Sequence, residues 1–179
     1  TGSANFDNFT VNAADAGSVD DGSGGPAVAF SNVADLTGTG ADDTFTFTAN
    51  LSGTADGVGG DDTFNVTNLA NTGSLTLAGG ADTTADALNV DDSARGAGVT
   101  YTVNDTTVND GVGNVLTLAG IENIDLLGTA AADTVNLTPS ATTGFNLDGG
   151  LGADVLVVDG SLAGANEIAH WWDNGSDQI

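Results

Sequence analysis

The stretch Gly57-Val58-Gly59-Gly60-Asp61-Asp62-Thr63-Phe64-Asn65-Val66 decides the fold. Its glycines allow a tight corner, and its Asp pair suits the end of a turn. The alternation Phe64, Asn65, Val66 is the period-2 mark of a half-buried strand. The closing phrase, Asp-x-apolar-x-apolar, returns along the chain. It reads Asp7-Asn8-Phe9-Thr10-Val11, Asp43-Thr44-Phe45-Thr46-Phe47, Asp86-Ala87-Leu88-Asn89-Val90, Asp133-Thr134-Val135-Asn136-Leu137 and Asp154-Val155-Leu156-Val157-Val158. An Asn-led variant stands at Asn114-Val115-Leu116-Thr117-Leu118. Asp177-Gln178-Ile179 reads as one more copy cut short, so the expectation is an excerpt of a longer repetitive protein. A turn and a short strand recurring at a near-constant period is how a sequence writes a solenoid.

After a first step of 36 residues, successive lead positions stand 19 to 28 residues apart. The long first step holds a Gly/Ser/Asp/Pro cluster, which reads as a loop inserted at 15–26. Between the phrases lie second alternating runs, Leu75-Thr76-Leu77, Tyr101-Thr102-Val103, Ile124-Asp125-Leu126 and Phe145-Asn146-Leu147, each with the pattern of a short strand. The expected fold is all-β: one continuous, right-handed parallel β-solenoid over residues 1–179, of β-helix or β-roll kind, with rungs of about 19–28 residues. A longer repeat overlies the short one, because residues 32–47 resemble residues 122–137. That points to an internal duplication inside one domain. Helix signals are poor, and the best candidate, Leu162 to Trp172, reads as a short helix or a distorted rung.

Composition limits the function classes. The 179 residues carry 25 acids against one Lys or Arg, a formal charge of −24, yet 40% are apolar and fall in alternating runs. An ordered domain is expected, with the charge gathered in its turns. Only Glu122 and Glu167 are Glu, so the acid is almost all Asp, the residue of turns and of oxygen-rich cation sites. Cys is absent, which excludes disulfides, thiolate metal sites and thiol nucleophiles. A surface this negative repels nucleic acid and anionic membranes, and no apolar run reaches the length of a membrane span. Cations are its natural partners.

Gly149-Gly150-Leu151-Gly152-Ala153-Asp154-Val155-Leu156-Val157 fits the pattern Gly-Gly-x-Gly-x-Asp-x-apolar-x. There, glycines turn carbonyls toward a cation, Asp supplies a hard anionic oxygen, and the apolar residue anchors the loop. In this the chain resembles the RTX, or hemolysin-type calcium-binding, repeats of secreted bacterial proteins. The run Gly120-Ile121-Glu122-Asn123-Ile124-Asp125-Leu126-Leu127-Gly128-Thr129 is similar to segments that introduce such repeats in giant adhesins and S-layer-like proteins. The turns before Asp43, Asp62 and Asp133 keep only part of the pattern. The resemblance implies calcium as cofactor, with Asp154, Gly150, Gly152, Asp62, Asp61, Gly60, Asp43, Asp42, Asp133 and Asp86 as candidate ligands. The alternative use of the same Asp residues is to close Asx-turns.

Outward positions of the strands are Thr or Asn, such as Thr46, Asn65, Thr76, Asn89, Thr102, Thr117, Asn136 and Asn146. These suit hydrogen-bonded ladders between rungs; a flat Thr array also suits ice or glycan, but Thr44-Phe45-Thr46-Phe47-Thr48 is not cleanly repeated. Enzyme signals are weak. One Arg, Arg95, is too little for a lyase, and the sole His, His170, has no Gly-x-Ser-x-Gly elbow to serve. Trp171 and Trp172 read as a cap on the core or as a sugar platform. The expected function is therefore non-enzymatic: a calcium-stabilised structural or adhesive module of an extracellular bacterial surface protein, whether adhesin, S-layer or surface fibre. The alternative is a carbohydrate-binding or carbohydrate-cleaving β-helix. The expected partners are divalent cations, surface glycans and identical subunits stacked end to end.

Overall fold

The computed structural model describes residues 7–159 and the backbone of residues 169–172. Their strands form two sheets. The first sheet contains β1 (Asn8–Ala13), β2 (Ala16–Asp20), β3 (Val28–Ser31), β5 (Thr44–Phe47), β7 (Thr63–Thr67), β9 (Ala87–Asp91), β13 (Asn123–Leu127), β15 (Gly144–Asp148) and β17 (Ala169–Trp172). The second contains β4 (Leu36–Thr37), β6 (Thr54–Asp56), β8 (Ser74–Ala78), β10 (Thr100–Asn104), β11 (Thr107–Asn109), β12 (Val115–Ala119), β14 (Thr134–Leu137) and β16 (Val155–Val158). Every alternating run quoted above is a strand. A single 3-10 turn, Leu69–Asn71, is the only helical element among the described residues.

From β4 to β10 the chain crosses between the sheets at every step, and it does so again from β12 to β16. Neighbouring laps pair in parallel and in register. In the first sheet Phe9, Phe45, Phe64, Leu88, Ile124 and Phe145 fall in one file across six strands, all facing inward and buried. The rings of Phe9 and Phe45 stack with centroids 4.7 Å apart, and those of Phe45 and Phe64 at 5.0 Å. Files from the second sheet face them, and the two sheets share one apolar core. Alternation of apolar and polar residues puts every second side chain into this core, so a one-residue slip would expose whole files to water.

Two features differ from the sequence reading, and a third chooses between its alternatives. Residues 16–20 are strand, not loop: β2 folds back antiparallel on β1 after a turn with Asp15 at φ 50°, β3 follows it, and only residues 21–27 remain as loop. Second, β10, β11 and β12 form an antiparallel excursion inside an otherwise parallel sheet. The tight turn at Asp105-Thr106, between two alternating runs, carried that signal. Third, of the two readings of Leu162 to Trp172, Ala169–Trp172 takes the strand one, paired in parallel with β15; the rest of that stretch, and Asp177-Gln178-Ile179, lie outside the described residues.

The duplication is visible in an unexpected way. Residues 32–47 contribute β4 and β5, and residues 122–137 contribute β13 and β14, but the sheets are exchanged. The strand before the turn lies in the second sheet in the first copy and in the first sheet in the other copy.

Truncating the centre of the aromatic file is expected to be severe. Phe45→Ala should lower unfolding free energy by about 3–5 kcal/mol, read from urea denaturation, because the rigid neighbours cannot close over the cavity.

Candidate functional site

Each strand of the first sheet from β5 to β13 is preceded by an acid, and these acids hold one another's backbones. The amide of Asp7 donates to Asp43 Oδ1 at 2.6 Å, that of Asp43 to Asp62 Oδ1 at 2.7 Å, and that of Asp62 to Asp86 Oδ1 at 2.7 Å. The amide of Asp86 donates to Glu122 Oε2 at 2.9 Å. Asp43, Asp62 and Asp86 are at most 1% exposed. The file exists because a turn ending in Asp recurs at the same place on each lap, just where the strand ladder leaves an amide unpaired.

A second file stands at the opposite edge, where strands of the second sheet begin. Val99 donates its amide to Asp133 Oδ1 at 2.6 Å, and Asp133 donates to Asp154 Oδ1 at 2.7 Å. At the same edge the Leu69 amide reaches Asp92 Oδ1 at 2.6 Å. The exchange of sheets between the two halves of the duplication thus moves the Asp turn from one side of the molecule to the other. The residues expected to form one calcium edge are divided: Asp43, Asp62 and Asp86 together, Asp133 and Asp154 together elsewhere.

The turns come in two kinds. In Gly38–Asp43 and Gly128–Asp133 a Thr follows the first glycine. The Thr39 and Thr129 amides donate to Oδ2 of Asp43 and Asp133, and their hydroxyls to Oδ1. In Gly57–Asp62 that position is Val58, held at φ 76°, and its amide turns away to Asp56 Oδ1. In Gly79–Asp86 it is Gly80, at φ 106°. Asp62 Oδ2 and Asp86 Oδ2 are consequently buried with no hydrogen-bond partner.

Burial pushes the Asp62 carboxyl up to about 6; the carboxylates of Asp86 and Asp43 add to the rise, while the Asp43 amide opposes it. Burial likewise raises Asp86 to about 6, with Glu122 and Asp82 adding to it against the Asp62 amide. Outside the file the effect reverses: Thr84 and Thr83 hydrogen bonds hold Asp61 down at about 2.

A third cluster went unnoticed in the sequence. Arg95 Nη1 lies 3.1 Å from Asp92 Oδ2 and 2.9 Å from Asp110 Oδ2, and the Tyr101 hydroxyl donates to Asp92 Oδ2 at 2.9 Å. Burial and the Asp92 carboxylate raise the Tyr101 pKa, so its proton stays in that bond. The cluster pins the root of the β10–β12 excursion. The adjacent pair Asp91-Asp92 beside the chain's one Arg was its only sequence signal.

Calcium requires about six to eight converging oxygens. In the two files one carboxylate oxygen of each Asp is already engaged by backbone: Oδ1 of Asp43, Asp62, Asp86, Asp133 and Asp154 accepts an amide in each case. The space beside Oδ2 is taken by glycine backbone: a Cβ on Gly57 would collide with Asp62 Oδ2, and one on Gly79 with Asp86 Oδ2. Asp42 Oδ1 accepts the Asp61 amide at 2.9 Å, and Asp61 Oδ1 accepts the amides of Thr83 and Thr84. Gly60, Gly150 and Gly152 have positive φ, and each packs against the backbone of the neighbouring turn. Among the described residues no three His, Cys, Asp or Glu side chains gather in a metal-holding group. Comparison of the chain with protein-family models, with curated proteins and with solved structures finds no match.

The two turn types predict opposite responses to the same substitution. Asp62→Asn keeps the Oδ1 acceptor and removes a buried charge, so thermal stability at pH 7.5 should rise. Asp133→Asn places an amide NH2 against the Thr129 or Val99 amide and should cost about 1–3 kcal/mol.

Stability should also depend on pH in a stated direction. Asp62 and Asp86 bind protons more tightly folded than at their ordinary value of 3.8, so stability falls as pH rises through about 6. Asp61 acts the other way, and its contribution is lost as pH falls from 3.8 toward about 2. Melting temperature should therefore peak between about pH 3 and 4 and fall from there to about pH 6. The Asp62→Asn/Asp86→Asn double variant should flatten the alkaline limb.

Proposed function

We propose that this chain is a passive structural module: a β-solenoid segment forming a stiff, acidic spacer or lattice element of a secreted bacterial surface protein, of the adhesin, S-layer or surface-fibre kind. The observation that carries the reading is the run of carboxylate–amide bonds from one turn to the next. A hydrogen bond to a charged acceptor contributes about 1.5–3 kcal/mol, and these bonds lie along the stacking direction, where a spacer bears load. The acids that look most like chemistry are spent on holding laps in line. With both oxygens of each Thr-type carboxylate satisfied and one oxygen of each other carboxylate amide-bound, the reading needs no metal.

One observation favours a second reading, carbohydrate binding or cleavage. A groove of about 290 Å³ crosses the outer face of the first sheet, flanked by Asn89, Asp91, Asp125, Asn146 and Asp148. Carboxylates and carboxamides in a shallow groove suit sugar hydroxyls, and two carboxyls are the minimum for glycoside hydrolysis.

Two measurements test the proposal. The circular dichroism spectrum and melting temperature should be the same in EDTA and in excess calcium, and incubation with a polysaccharide panel should release no reducing sugar. Calcium-dependent folding would restore the cation to the turns. Sugar release abolished by Asp125→Asn would replace the scaffold reading with the enzymatic one.

A further inference from the structure

The outer face of the second sheet is almost free of charge. Among the described residues, Asp56 is the one acid on its eight strands, and its Oδ1 bends to the Val58 amide. The strands of the first sheet carry Asp20, Asp91, Asp125 and Asp148, and the other described acids sit in turns and loops at the edges. On the second sheet Thr54, Thr76, Thr117 and Thr107 form one file across four adjacent strands. Thr117 in this file and Thr102 beside it are exposed, and Val157 is 48% exposed. Threonine methyls, valines and small side chains make this face flat and half apolar.

We propose that this face is a lateral docking surface for a second copy of the same chain. The argument is electrostatic. Two chains of charge −24 meet acid against acid by almost every approach, but here the strands of each present one acid, Asp56. Depletion of charge is what distinguishes the core of a protein interface from ordinary surface. Geometry agrees. Eight strands at about 4.8 Å spacing, about four residues long on average, give roughly 500 Å² per face. An isologous pair would bury about 1,000 Å², the least that a weak biological contact needs. The pairing is therefore weak, side by side, and distinct from stacking end to end. It does not rest on the scaffold reading.

Sedimentation equilibrium of the intact chain at up to about 0.5 mM tests it. Dimer should form with concentration and strengthen with added NaCl, because screening weakens the repulsion between the two acidic bodies. Thr117→Glu and Thr102→Glu, each confirmed folded by circular dichroism, should weaken association at least about tenfold. Thr46→Glu, on the outer face of the first sheet, should leave it unchanged. A monomer at that concentration in high salt overturns the proposal. So does a dimer indifferent to both variants of the second sheet, one broken equally by Thr46→Glu, or a monomer that adsorbs to ice or crystalline polysaccharide instead.

Discussion

A buried carboxylate accepting the amide of the lap beside it is the bond on which the rest of this structure depends. A chain that passes repeatedly between two sheets must turn a corner each time, and each corner leaves amides outside the strand ladders. Unsatisfied, each would cost about 1–3 kcal/mol. Asp43, Asp62 and Asp86 at one edge, and Asp133 and Asp154 at the other, satisfy them while setting the register of the next strand. The adjacent glycines leave room for a carboxylate to lie against the backbone, as Gly57 does for Asp62. Glycine and aspartate therefore recur together because each makes the other workable.

The same device imposes electrostatic strain. Carboxylates in one file repel, and burial raises the cost of charging them. The Gly-Thr turns relieve this with two extra donors from one residue. The turns with Val58 or Gly80 do not, and their carboxyls are driven toward protonation. The chain's single Arg sits between Asp92 and Asp110, where two acids are buried at the base of the antiparallel excursion. Acid placement thus follows local need, with the surplus at the edges and the outer face of the second sheet left almost neutral.

Much of the fold was legible because it obeys a period. The alternation in Thr44–Phe47, Thr63–Val66 and their counterparts located the strands and their buried sides, and the resemblance of 32–47 to 122–137 marked the duplication. What the periods omit, they could not announce. Val103–Thr107 reads equally as the end of one strand and the start of the next lap, so the short turn at Asp105-Thr106 was the one trace of the β10–β12 excursion. The Asp turns looked like cation loops because glycine, Asp and an anchoring apolar residue suit either use; which partner the oxygens take depends on atoms a whole lap away.

The sequence by itself determined the alternating strands of the repeat, their inward and outward residues and the Asp–Gly corners, since each follows from backbone sterics and side-chain alternation over a few neighbours; it did not determine β2 or β11. Only the tertiary structure decided which corners meet. The antiparallel excursion and the exchange of sheets between the two halves send identical turns to opposite edges, because strand pairing depends on which backbone lies alongside. Adjacency across laps also makes Asp43, Asp62, Asp86, Asp133 and Asp154 hydrogen-bond acceptors for the backbone alongside.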